Sequence, residues 1–133
     1  MTGPLGPDAM DVDRDRFLEL IARRRGQVKP ALMDQTLIAG LGNLLVDEIL
    51  WRARIHPRQS LGTLREHDLE RVYDTMRSVL REANRHGRVP PAEGWLTKAR
   101  DERDPRCPRC GARLRKAPVG GRTTTWCPRD QPG

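Results

Sequence analysis

Aromatic residues are scarce in this chain: one Phe, one Tyr and three Trp among 133 residues, or 4%. With hydrophobic residues at only 36%, any core has to be aliphatic and modest. No apolar run approaches the roughly 20 residues needed to span a bilayer. Met1-Thr2-Gly3-Pro4 has neither the basic start nor the apolar stretch of a signal peptide. Together these absences lead us to expect a soluble protein of the cytoplasm. Cysteine is sparse too, limited to Cys107, Cys110 and Cys127. An odd number packed into the last quarter of an intracellular chain argues against a disulfide framework and towards a metal.

What the chain does have is positive charge, +7 overall and unevenly spread. Residues 1–97 hold 15 Lys/Arg against 14 Asp/Glu, whereas residues 98–133 hold ten against four. A basic surface of that kind attracts phosphates and releases their condensed counterions, so nucleic acid is the favoured partner class.

Residues 1–12, rich in Pro, Gly and Asp, read as a linker or tail. A first helix is expected from about Asp13 to Arg25, with acids at its start, Arg23-Arg24-Arg25 at its end and Gly26 as its stop. Pro30 opens a short helical piece through Asp34. Gly40 and Gly42 then demand a tight turn, before a central helix from Asn43 to about Ala53 whose apolar residues cover most of its circumference, so that it should be buried. Thr63-Leu64-Arg65-Glu66 has the spacing of a capping box, and the stripe Leu69, Val72, Tyr73, Met76, Val79, Leu80, Ala83 predicts a helix running to Gly87. Pro90-Pro91 breaks the chain, and Lys98 to Arg106 reads as a charged linker. The pattern is mainly α: four helical pieces, a hinge, then a finger.

The finger is carried by Cys107-Pro108-Arg109-Cys110, sixteen intervening residues, and Cys127-Pro128-Arg129-Asp130. Two ligands from each of two tight knuckles meet zinc's tetrahedral demand when the segment between them folds back as a hairpin. Ala112 to Lys116 and Thr123 to Trp126 are the expected strands, with Val119-Gly120-Gly121 at the turn. The expected ligands are Cys107, Cys110, Cys127 and Asp130, the last standing where a zinc ribbon has a fourth cysteine. Asp130 either ligates directly or faces a water in that position. The alternatives are a finger whose hairpin folds without metal and a catalytic zinc with an open position.

The string Lys29-Pro30-Ala31-Leu32-Met33-Asp34-Gln35, followed by Ala39-Gly40-Leu41-Gly42-Asn43 and Asp47-Glu48, resembles the formamidopyrimidine-DNA glycosylase and endonuclease VIII family. Leu5-Gly6-Pro7-Asp8 is similar to its interdomain linker, Ile55-His56-Pro57 to the end of its central helix, and Gly121-Arg122-Thr123 to its finger's hairpin tip. The similarity runs from about residue 5 to 131. It implies a helix–two-turn–helix domain over residues 13–97 and a small β-hairpin zinc-ribbon finger over 98–133. The function implied is that of the duplex DNA-binding module of a base-excision repair glycosylase and AP lyase, gripping phosphates around an abasic or oxidised-base site.

By the same resemblance, Lys29 contacts a phosphate near the lesion, and Asn43 does so from the turn that opens the central helix. Gly42 lets the duplex backbone approach freed helix amides, and Arg122 reaches phosphates from the finger tip. The family's nucleophile is an N-terminal proline beside a glutamate, on a domain preceding this region. Met1-Thr2-Gly3-Pro4 does not match it, so no catalytic residue is expected here, and a separate catalytic chain is a possible partner. Lys98 to Arg106 also lacks the Tyr-Gly-Arg-like signature usual before the finger. The rival expectations are a stand-alone, non-enzymatic nucleic-acid-binding zinc protein and an RNA-binding role.

Overall fold

The computed structural model describes residues 5–86 and 94–133. Five helices and one antiparallel hairpin are arranged around two apolar clusters. Helix α1 (Arg14–Ala22) starts at Asp13, whose carboxylate accepts from the Arg16 amide at 2.8 Å. It stops short of the expected Arg25. Arg24 turns away instead to pair with Asp34 at 2.6 Å, and Gly26 follows at φ 95°. Phe17 and Ile21 are its buried face.

Helix α2 (Val28–Met33) has Pro30 within its first turn, where the missing N–H costs nothing. The chain then turns around two side chains. Asp34 Oδ1 accepts from the Thr36 amide at 2.9 Å, while Gln35 accepts from the Gly40 amide at 2.9 Å and donates to Leu41 O at 3.1 Å. Gly40 has φ 97° and is the glycine this turn requires; Gly42, at φ −92°, is in ordinary extended backbone.

Helix α3 (Asn43–Ala53) has the expected bounds. Val46, Ile49 and Leu50 are sealed in the main core, each contributing on the order of 1.5–3 kcal/mol by burial. Its end is marked by Arg54 at φ 62°, ψ 39°, a left-handed conformation that disfavours a side chain by roughly 1–2 kcal/mol.

The expected capping box at Thr63 does not form. Thr63 closes a 3₁₀ turn (Leu61–Thr63) and donates its hydroxyl to Ser60 O, so α4 (Glu66–His86) begins two residues later than the box implies. Asp68 takes over, accepting from the Arg65 amide at 2.9 Å. Val72, Met76, Val79, Leu80 and Ala83 are buried as the stripe predicts. Phe17 of α1 meets Tyr73 of α4 with ring centroids 5.4 Å apart. Gly87 and the Pro90-Pro91 break lie outside the described residues.

Two segments read as linkers are packed. Over residues 5–12, Ala9 and Val12 are buried, the Ala9 amide donates to Ala39 O at 2.8 Å, and Tyr73 Oη donates to Val12 O at 2.7 Å. At the other end, α5 (Leu96–Ala99) runs into the supposed charged linker and buries Leu96, Thr97, Ala99 and the long side chain of Arg100. Alternation of Pro, Gly and charge hid both docking events.

Strands β1 (Arg115–Val119) and β2 (Arg122–Trp126) pair with Val119 opposite Arg122. The two-residue turn Gly120-Gly121, both at positive φ, sets that register and moves β1 three residues beyond the expected Ala112–Lys116. Trp51, on the far side of α3 from the main core, joins Leu96, Cys107, Leu114 and Cys127 in the second cluster. Helix α3 is therefore the shared wall between helical body and finger. No helix among the described residues is long and apolar enough to cross a membrane.

Candidate metal centre and nucleic-acid interface

The first knuckle closes through the Gly111 amide donating to Cys107 O at 2.9 Å and the Cys107 amide donating to Ala112 O at 2.8 Å. The second closes with the Asp130 amide 3.4 Å from Cys127 Sγ and the Gln131 amide 2.9 Å from Cys127 O. These turns bring one ligand atom each from Cys107, Cys110, Cys127 and Asp130 to within 4.8 Å of one another. Cys110 Sγ and Cys127 Sγ are 3.5 Å apart, and Cys107 Sγ lies 3.3 Å from Asp130 Oδ2. Tetrahedral zinc with bonds of about 2.0–2.3 Å sets its ligands about 3.5–3.8 Å apart, so the cluster has the size and donor set of a zinc site.

Burial pushes the Cys127 thiol up to about 11, whereas the Ala112 amide pulls Cys110 below its ordinary value. Burial acts to raise the Asp130 carboxyl, but hydrogen bonds from Arg109 and Cys107 and the charges of Arg109 and Arg54 hold it low. Gln131, unremarked in the sequence, clamps the knuckle to the helical body. It accepts from the Cys127 amide at 2.8 Å and donates to Ile55 O at 2.9 Å.

The second region lies where α3 begins. Gly42 is its N-cap and supplies no side-chain hydrogen bond, so among the described residues the first-turn amides have no side-chain cap. A Cβ built on Gly42 meets nothing within 4 Å. Asn43 Nδ2 donates to Thr123 O at 2.9 Å, which docks the hairpin tip against this helix end and places exposed Arg122 beside it. The Asn43 Oδ1 atom is buried with no hydrogen-bond partner among the described residues.

Lys29 departs from the expected role. Its side chain is 0% exposed, and its Nζ donates to Asp47 Oδ1 at 2.7 Å and Thr124 Oγ1 at 2.6 Å. The amine is engaged by Asp47 and Thr124 inside the molecule, so the structure shows a buried tie where the resemblance implies a phosphate contact. Burial pushes Lys29 below the usual lysine pKa, with Asp47 acting in the opposite direction. The sequence reading missed the centre of this cluster. Asp47 Oδ2 also accepts from Arg100 Nη1 at 2.9 Å and from the Thr125 amide at 3.2 Å. Its sequence signal is an acid between Val46 and Ile49, beside Glu48, on a helix that is mostly apolar. Two cations sharing one carboxylate leave a net positive charge beneath the hairpin backbone. Glu48 is buried as well, raised by its burial against the counter-effect of Arg52, and accepts from the Thr97 amide at 3.3 Å. It is a structural tie, not a surface group.

Two family models match the chain. The formamidopyrimidine-DNA glycosylase H2TH domain covers residues 5–90. The zinc finger found in FPG and IleRS covers residues 105–133, and the four-residue cluster makes this a zinc-binding finger. A formamidopyrimidine-DNA glycosylase from Lactococcus lactis subsp. cremoris is 36% identical over 137 residues, covering 93% of this chain and 50% of its own length. One from Pelotomaculum thermopropionicum is 39% identical over 127 residues, covering 86% and 46%. Among solved structures, Lactococcus lactis Fpg in complex with DNA containing an abasic site matches with a TM-score of 0.82 at 31% identity, over 97% of this chain and 52% of that one. MutM in complex with DNA containing carbocyclic 8-oxo-G matches with a TM-score of 0.82 at 32% identity, over 97% and 51%. The chain thus spans about half the length of the relatives it matches. The matches run over nearly the whole of this chain, and the chain belongs to the formamidopyrimidine-DNA glycosylase family, carrying the helix–two-turn–helix domain and zinc finger of that family.

Proposed function

We propose that this chain is a duplex DNA-gripping module of base-excision repair, holding the sugar-phosphate backbone around an abasic or oxidised base. The observation that carries this reading is the joint at Asn43. Uncapped amides at the start of α3 and the arginine-bearing hairpin tip are locked side by side, above a buried cluster of net positive charge. Free amides, helix dipole and guanidinium all favour an anion at one place. Gly42 adds no side chain there, so a phosphate can approach the backbone closely.

Zinc, held by Cys107, Cys110, Cys127 and Asp130, pins the two knuckles from which the hairpin projects; its contribution is structural. In a longer member of the family, the other half of the molecule would act on the flipped base while this module holds the kinked duplex. Binding directed at phosphates is indifferent to sequence and sensitive to salt.

The test is a salt titration of affinity for abasic duplex, intact duplex and structured RNA, on zinc-loaded protein. Duplex preference, with the abasic site bound most tightly, supports the reading. Indifference to duplex in dilute buffer, with metal content confirmed, sinks it.

A further inference from the structure

The surroundings of the metal site's fourth position are those of a carboxylate, not of a thiolate. Asp130 Oδ2 accepts from Arg109 Nε at 3.0 Å, and Asp130 Oδ1 accepts from Arg54 Nη1 at 3.3 Å. Arg109 is itself fixed. Its Nη2 donates to Trp51 O at 2.6 Å, and its guanidinium lies 4.1 Å from the centre of the Trp51 ring. The same Trp51 donates its Nε1–H towards Cys107 Sγ at 3.3 Å. Metal ligand, arginine and the last turn of α3 thus form one closed circuit.

Arg54 gives the independent observation. Among the described residues it alone is a non-glycine with positive φ, at a helix end where glycine or asparagine is the usual solution. Its backbone role, the amide donating to Leu50 O and Trp51 O, needs no side chain. What the arginine adds over glycine is the guanidinium on Asp130. Charge agrees with geometry: three thiolates and a carboxylate around a divalent ion leave two negative charges, and Arg54 and Arg109 bring two positive ones. A carboxylate has the lone pairs to serve a metal and a guanidinium together.

We propose that Arg54 and Arg109 are positioning residues of a Cys3Asp zinc centre, holding Asp130 towards the metal and tying metal binding to the C-terminal end of α3. This rests on the assignment of Asp130 as fourth ligand. It also explains how an oxygen ligand is kept where a zinc ribbon has a fourth cysteine, because outer partners of a metal ligand orient it and affect metal affinity about 10–100-fold.

The experiment is a double-mutant cycle on the full chain, reading zinc affinity by competition with a chromophoric chelator and the absorption spectrum of the Co(II)-loaded protein. Arg54→Gly suits the left-handed backbone and so keeps the fold. It is expected to weaken zinc about tenfold and to shift the Co(II) d–d bands. In the Asp130→Cys background, where no carboxylate remains to be held, the same change is expected to do nothing to either readout. Equal losses in both backgrounds, or none in the Asp130 background, overturn the positioning role. If Asp130→Ala leaves zinc affinity and the Co(II) spectrum unchanged, the ligand assignment falls and the positioning role with it. If Asp130→Ala weakens zinc while Arg54→Gly does not, the ligand stands and only the positioning role is lost.

Discussion

Lys29 Nζ lies 2.7 Å from Asp47 Oδ1 with both side chains out of reach of solvent, so the lysine joins α2 to α3 from inside. Asp47 holds Arg100 as well, and through the Thr125 amide it reaches β2. One carboxylate therefore fastens the helical body to the finger.

Removing that carboxylate should be far worse than removing either cation. Asp47→Ala leaves Lys29 and Arg100 buried together without an anion, which costs about 3–5 kcal/mol. Lys29→Met fills similar space and leaves Asp47 paired with Arg100, so its cost is expected to be under about 2 kcal/mol. Urea unfolding of the two variants measures both. A larger loss for Lys29→Met than for Asp47→Ala would contradict the hub.

The same burial separates Lys29 from Arg122 in DNA binding. A side chain that neutralises a phosphate releases a counterion, so Arg122→Ala should lower the slope of log affinity against log salt by about one. Lys29→Met should leave that slope unchanged, because its amine meets Asp47 and Thr124 and not the duplex. Duplex titrations between low and moderate salt read both values. A slope reduced equally by both changes would return Lys29 to the surface.

These residues mark what was legible in the sequence. The bounds of α3 were readable because apolar residues cover most of the segment between a glycine pair and a polar end. The knuckles were readable because zinc imposes a spacing on the chain. Thr63 misled because its hydroxyl had a closer partner at Ser60 O, a competition that a capping pattern does not register. The first strand was misplaced because register comes from the Gly120-Gly121 turn, not from strand propensity. Lys29, Asp47, Arg100, Arg54 and Gln131 are decided by tertiary docking of finger on helix, which no local pattern encodes. Lys29 beside Pro30 looks like a solvated lysine until α3 is placed against it.

Acid should loosen the turn that presents Asn43. The Thr36 hydroxyl, the Arg24 guanidinium and the Thr36 amide hold the Asp34 carboxyl at about 2, below the ordinary 3.8. The folded state prefers the carboxylate, so its stabilisation is complete above about pH 4 and disappears as pH falls towards 2. With the side chain 30% exposed, screening limits the effect to about 1 kcal/mol. The difference in unfolding free energy between wild type and Asp34→Ala should therefore shrink across that window. A difference that stays constant from pH 5 to 2 would refute the assignment.

Chelating the metal should release the finger before the helices. The main core contains no residue of the finger, whereas the second cluster is built on Cys107, Cys127, Leu114 and Trp51. After chelation most of the far-ultraviolet helical signal is expected to remain, while the emission of Trp51 and Trp126 changes and duplex affinity falls about tenfold through loss of the placed Arg122. Restored zinc should recover all three signals. Helical signal lost in step with metal would show that the body cannot stand without its finger.

Gly40 and Gly42 give the sharpest contrast, because one serves the fold and the other is free to serve a ligand. Gly40 sits at φ 97°, so Gly40→Ala strains the turn and should cost about 1–2 kcal/mol of stability. Gly42 sits at φ −92° with no atom within 4 Å of a built Cβ, so Gly42→Ala should leave stability within about 0.5 kcal/mol. Yet that methyl would project where a phosphate must come against the first amides of α3. Binding of abasic duplex should weaken roughly tenfold or more in Gly42→Ala, equivalent to about 1.4 kcal/mol, with thermal unfolding unchanged. A variant that keeps both stability and full duplex affinity would remove the start of α3 from the interface, and the grip would have to rest on Arg122 alone.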